Sequence, residues 1–131
     1  MINAQVDKPG GTGTASAITQ EGRFLQRSGA DTVAQCSADT DVAVGVSATS
    51  AAANADVRCY LPWQIARLQS NGNLDPANAA HVFLTSDAAG QGIVAASGDR
   101  VMALWLRQPG EDPAANDFIT VLVTDQATIL A

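Results

Sequence analysis

Few side chains in this sequence could do chemistry. His81 is its single histidine, and Cys36 and Cys59 are its two cysteines. One imidazole cannot build a histidine-based metal centre within a subunit, and any Ser-His-Asp or Cys-His arrangement would have to use this residue. No nucleophile-elbow motif surrounds it, so it reads as a strand-start residue partly open to water. Cys36 and Cys59 lack the C-x-x-C spacing of zinc and redox sites; they could pair, but with no secretory leader the compartment argument favours two reduced, half-buried thiols. Asp39 and Asp41 have the chemistry for calcium or for acid and base work, yet their spacing fits no twelve-residue calcium loop. They read as solvated turn residues. The Gly10–Gly13 stretch, GGTG, fits neither phosphate-binding glycine pattern and follows no strand. No catalytic residue, metal or cofactor is expected.

The other notable residues are apolar. Trp63 follows Pro62, and Trp105 lies between Leu104 and Leu106. Tryptophan is enriched where proteins meet, so both clusters are candidate protein interfaces. The competing reading is that each fills a core short of large side chains, and the alternating strand around Trp105 favours core there. Thr12 and Thr14 join the candidate interface because they sit in an N-terminal stretch that could order on a neighbour.

The elements that must position these residues are strands. Residues 1–17, rich in Gly, Thr, Ala and Ser, read as a flexible arm, and residues 18–131 as one domain. Short β-type runs follow at Arg23 to Gln26, Thr32 to Cys36, Asp41 to Ser47, Val57 to Leu61 and Gln64 to Leu68. Further runs occupy His81 to Leu84, Gly92 to Ala96, Val101 to Leu106 and Phe118 to Val123. They are separated by turn residues, as in an all-β domain. Val42, Val44 and Val46 alternate with smaller residues, the pattern of a half-buried strand. Asn71-Gly72 reads as a tight turn, and Asp75-Pro76 as a helix start of one turn.

The two halves of the chain also match each other. Phe24-Leu25 aligns with Phe83-Leu84, Val33-Ala34 with Val94-Ala95, Val42 with Val101, Asn54 with Asn116, and Asp56 to Leu61 with Asp117 to Leu122. This predicts a duplicated four-stranded unit, about 23–61 and 82–122, joined by a segment that carries its own strand QIARL. Two such units closing on each other would make a small β-barrel without free edges. In this alignment Val46 corresponds to Trp105, and the second copy is the more apolar.

Composition sets the function classes. A net charge of −6 and a pI near 4.3, with no Lys/Arg cluster, exclude the electrostatic footprint of a nucleic-acid binder and disfavour an anionic membrane. No apolar run reaches membrane-spanning length, and the polar start carries no secretory signal. Of the apolar residues 25 are alanine, and aromatics make up only 5% of the chain. Such a core gains less per residue on burial, so help from neighbouring subunits is expected.

From Ile18 to Thr124 the chain resembles the capsid decoration (cement) proteins of tailed bacteriophages. The resemblance lies in I-T-x-x-G-R-F-L at 18–25, D-V-A-V-G-V at 41–46, F-L-T-S-D-A-A-G at 83–90 and D-R-V-M-A-L at 99–104, in that order. It implies a small β-barrel that forms a homotrimer on the outer capsid surface of the virion. There it would lock major capsid protein subunits together, after synthesis in the bacterial cytoplasm. The family has no catalytic residues. A carbohydrate- or receptor-binding β-module of a phage tail or cell surface is the main alternative, with Trp63 and Tyr60 as its aromatic candidates. A small hydrolase using Asp residues comes third.

Overall fold

Among the described residues the chain forms ten strands of three to six residues, and several of them, Phe118–Val123 most regularly, alternate buried with part-exposed side chains, as half-buried β-structure requires. The computed structural model describes residues 5–72, 74, 82–125 and 128–130. His81 and the Asp75-Pro76 helix start lie outside the described residues.

The first half contains β1 (Gly11–Ala15), β2 (Phe24–Arg27), β3 (Thr32–Gln35), β4 (Ala43–Ser47) and β5 (Asp56–Tyr60); the second contains β6 (Ile65–Gln69), β7 (Val82–Ser86), β8 (Gly92–Val94), β9 (Ala103–Trp105) and β10 (Phe118–Val123). The first five form a closed barrel in the order β1-β3-β2-β4-β5, and the last five form a curled sheet in the order β6-β10-β9-β7-β8. The all-β barrel class expected from the sequence is therefore present. Its arrangement differs: the two units do not close on each other, but each curls on itself.

The repeat is clearest in the strand connections. With β1 matched to β6, β2 to β7, β3 to β8, β4 to β9 and β5 to β10, each antiparallel neighbour pair of the first unit recurs in the second. The first barrel is closed by a parallel β1–β3 pairing, Thr14 with Thr32 and Ala15 with Val33; at the matching point the second sheet stays open apart from one isolated parallel bridge, Ser70 with Gly92. Asn54 and Asn116 take positive φ values of 68° and 71° at the same point of the two units, where asparagine tolerates a left-handed backbone. Asn54 N donates to Ala15 O at 2.7 Å and Asn116 N to Ser70 O at 2.8 Å.

This pairing corrects two expectations. The repeating unit has five strands, because QIARL is the counterpart of β1, and Gly11–Ala15 is therefore a barrel strand. The preceding residues are held too: Asp7 N donates to Ile65 O at 2.9 Å, and Gly10 N to Gln64 Oε1 at 3.1 Å. The alignment also shifts by one or two residues on several strands. A register shift at Leu25/Gln26 places Gln26 opposite Ala43, whereas Leu84, Phe83 and Val82 meet Ala103, Leu104 and Trp105 in sequence. Hence Val46 corresponds to Leu104 and Ser47 to Trp105. On β3, Gln35 and Val94 correspond, each lying opposite the matched leucine, Leu25 or Leu84.

Two apolar clusters hold the molecule. One fills the first barrel with Ala15, Leu25, Val33, Val57 and Cys59. The other combines the interior of the second sheet, including Leu68, Leu84 and Ile119, with Phe24 and Val46 from the outside of the first barrel. The first barrel thus completes the second unit's core. Arg23, 9% exposed, crosses the junction: Nε donates to Gln69 Oε1 at 2.9 Å, Nη1 to Ala89 O at 2.8 Å, and Nη2 to Gln20 Oε1. Burial lowers its pKa, and the Asp87 carboxylate opposes that shift.

Candidate functional site

The acidic residues that might have served catalysis are occupied in turns. Asp41 Oδ2 accepts from Ser37 N at 2.8 Å and Ala38 N at 3.1 Å, while Asp39 offers its backbone carbonyl to Arg100 N at 2.9 Å. The same use recurs at Asp87, which accepts from Ala89 N and Gln91 N at 2.8 and 2.9 Å. The Asp41 and Asp87 carboxylates thus satisfy loop N–H groups that the strands leave unpaired. Among the described residues no three His, Cys, Asp or Glu side chains converge as a metal site. Both cysteines are free and buried, Cys36 in one cluster and Cys59 in the other. Burial, and secondarily Asp41, pushes the Cys36 thiol up to about 12, and burial raises Cys59 as well. Such thiols are poor nucleophiles near neutral pH.

The candidate interface residues separate into three groups. Trp105 is a core residue, 3% exposed, with Nε1 donating to Glu111 Oε1 at 3.1 Å and the Arg107 guanidinium 5.8 Å from its ring centroid. Its flanking residues Leu104 and Leu106 point the opposite way and are half-buried. Trp63 is 65% exposed and sits next to half-buried Pro62 with φ of 70°. A large side chain in the left-handed region costs about 1–3 kcal/mol, so the corner holds an exposed indole in a strained position. The Trp63 backbone N–H is anchored on Val123 O at 2.7 Å. Thr12 and Thr14 lie on β1, where they line a recess of about 500 Å³ bounded also by Ala30, Asp31 and Val33. The glycines of β1 face the barrel interior, where a Cβ on Gly13 would lie 3.3 Å from Val33 Cγ1 and one on Gly11 2.8 Å from Leu61 Cδ2.

Leu104 belongs to a larger feature that sequence reasoning missed. Directly opposed residues on neighbouring strands share a face of the sheet. Phe83 lies opposite Leu104, Leu104 opposite Leu122, and Leu122 opposite Ile65. They form one apolar row across β7, β9, β10 and β6 on the outside of the second unit. Phe83 is 41% exposed and the other three are half-buried. The corresponding row on the first barrel is Phe24, Val46 and Tyr60, where Phe24 and Val46 are wholly buried against the second unit and Tyr60 packs beside them. The match of Phe24 with Phe83 in the sequence was the available signal, but it does not say which phenylalanine the fold covers.

No protein-family model and no curated protein sequence matches this chain. Among solved structures it is similar to the crystal structure of the N base of the head fiber gp8.5 of bacteriophage phi29, with a TM-score of 0.66 and 14% sequence identity. The likeness covers 86% of this chain and 91% of that one. The chain therefore shares its all-β fold, across nearly its whole length, with the base of a phage head fiber.

Proposed function

We propose that this protein is a structural component of a phage virion. It binds the outer surface of the head as a homotrimer and bridges major capsid protein subunits, stabilising the shell. The observation that carries this reading is the fold likeness to the head-fiber base over most of both chains. Fold alone does not dictate function. The surface adds support: an apolar row and a strained, exposed tryptophan are features of a protein that meets other proteins. Locking a shell requires modest contacts repeated by symmetry, so affinity arises from multivalency. The net charge of −6 suits a protein that does not compete for packaged nucleic acid. In this reading it is not an enzyme and takes no cofactor.

Cosedimentation with purified empty heads tests the capsid contact: saturable binding and a higher melting temperature of the decorated shells are expected. Absence of saturable binding rejects the reading. Light scattering on the free protein tests the trimer, which a monomer at high micromolar concentration, alone and with shells, would contradict. A second reading, a carbohydrate-binding module, draws on the 65% exposure of Trp63. Glycan-array binding lost in Trp63→Ala would favour it over shell binding.

A further inference from the structure

We propose that Asn71 is a self-modifying site, at which the chain converts its own asparagine to aspartate or isoaspartate and thereby loosens the junction between the two units.

Among the asparagines of the sequence only Asn71 is followed by glycine; the others precede alanine, leucine or aspartate. A following glycine has no side chain to keep its backbone nitrogen from reaching the asparagine side chain. The fold cannot trade this glycine away, because Gly72 has φ of 96° and a Cβ there would lie 2.8 Å from Ala115 N, a backbone atom. Both residues are half-buried, so water reaches them.

The reaction needs water as its sole co-reactant. The Gly72 N–H loses its proton to solvent base, the nitrogen bonds to Asn71 Cγ, and the side-chain nitrogen leaves as ammonia. Water then opens the cyclic imide. Cleavage of the new nitrogen–Cγ bond gives aspartate; cleavage between nitrogen and the main-chain carbonyl carbon gives isoaspartate, whose backbone is one carbon longer.

The fold sets the pace. Gly72 N–H donates to Ser70 Oγ at 2.9 Å, so the proton that must leave is held, and Asn71 N donates to Gly92 O at 3.1 Å beside the isolated Ser70–Gly92 bridge. Asn71 Nδ2, the leaving nitrogen, donates to Asp87 Oδ2 at 3.3 Å. Ring closure therefore waits for this open end of the second sheet to come loose, a local opening that costs less than global unfolding.

The product acts on the junction. Asp87 Oδ1 holds the β7–β8 turn by accepting from Ala89 N and Gln91 N at 2.8 and 2.9 Å. The turn holds the first barrel: Ala89 O accepts from Arg23 Nη1 at 2.8 Å and from Gln35 Nε2 at 3.2 Å, and Gly90 O accepts from Phe24 N at 2.8 Å. Conversion replaces the amide donor facing Asp87 by a carboxylate. Two carboxylates then face each other where a donor met an acceptor, which is repulsive. The reaction runs one way, so the turn and the barrel contacts it carries loosen with the age of the chain.

Aged protein tests both steps. After incubation in mildly alkaline buffer, peptide mapping by mass spectrometry should find the amide-to-acid mass gain at Asn71 ahead of every other asparagine, in aspartate and isoaspartate forms, and Asn71→Gln should abolish it. In denaturant the conversion should run roughly tenfold faster or more, the inverse of the opened fraction in the native state. Asn71→Asp, the product made directly, should melt roughly 3–6 °C below wild type, the shift that loss of about one hydrogen bond gives a domain of this size. Adding Asp87→Asn should recover most of that loss, because donor and acceptor then exchange places while the remaining oxygen keeps the bonds to Ala89 N and Gln91 N. Should Asn71→Asp fail to fold, aged wild-type protein fractionated by charge replaces it. The proposal is overturned if Asn71 is not the first asparagine of the native protein to convert, if native and denatured chains convert at one rate, if the converted protein melts like wild type, or if Asp87→Asn restores nothing. None of these readouts involves a shell, so the outcome stands apart from the virion reading.

Discussion

The two units of this protein share one strand order but differ in what their outer faces meet. In the first barrel Phe24 and Val46 are fully buried under the second unit; in the second, Phe83 is 41% exposed and Leu104 half-buried at the matching positions. The same local sequence is core in one copy and surface in the other. Burial here is decided by which unit covers which and not by the strand itself, which makes the exposed copy informative about function.

Paired substitutions break this comparison most directly. Phe24→Ala leaves a cavity between the units and should cost about 3–5 kcal/mol, whereas Phe83→Ala in the dissociated chain should cost about 1 kcal/mol or less. Denaturant titration at low protein concentration checks both, and equal losses would mean that the rows are not different in kind. Gly45 and Ala103 form the next pair. A Cβ on Gly45 would lie 2.0 Å from Tyr60 O, a backbone atom that cannot step aside, while the second unit carries alanine at that position. Gly45→Ala should destabilise by about 3 kcal/mol, and Ala103→Gly by about 1 kcal/mol, by the same measurement.

A smaller difference concerns pH. Cys36 corresponds to Ala95, so only the first barrel buries a thiol there. Its folded pKa is raised to about 12 by burial and Asp41, above the ordinary thiol value. The unfolded chain therefore loses its proton first as pH rises, and stability falls between about pH 9 and 12, by at most about 1.4 kcal/mol per pH unit from this group. Cys59 and Tyr60 are shifted in the same direction, the phenol by burial first and then by Glu21 and Asp7 against Arg67. In Cys36→Ala the alkaline slope should become shallower, measured by denaturant midpoints from pH 8 to 10.5. The smallest effect is expected at Trp63. Trp63→Gly should stabilise the free chain by up to about 1 kcal/mol by releasing the left-handed strain, seen as a raised melting temperature.

Much of the fold was legible in the sequence, for physical reasons that also mark its limits. Phe24-Leu25, Phe83-Leu84 and the two asparagines could be matched because a duplicated strand keeps its alternation and a left-handed turn keeps its permissive residue. Strand β1 was hidden because GTGTA has the period of a strand but no apolar face; its inward positions are glycines filled by Val33 and Leu61 from neighbouring strands. The shifted register was hidden because a bulge at Leu25/Gln26 leaves no mark in composition. Of the candidate interface residues, Trp63 is exposed and Leu104 and Leu106 are half-buried, while Trp105 faces inward. Phe83 and Ile65 could not have been selected from the sequence, since their exposure follows from which unit covers which.

The anchoring of Asp7 to Ile65 has a consequence for solubility. Strand β6 lies at the border of the second sheet, and its outer backbone groups would otherwise offer a template to another chain. Asp7 occupies them twice, donating to Ile65 O and accepting from Ile65 N through Oδ2, both at 2.9 Å, while Gln64 Nε2 donates to Lys8 O at 2.9 Å. The segment before β1 thus acts as a guard on an open sheet edge, discouraging edge-to-edge aggregation.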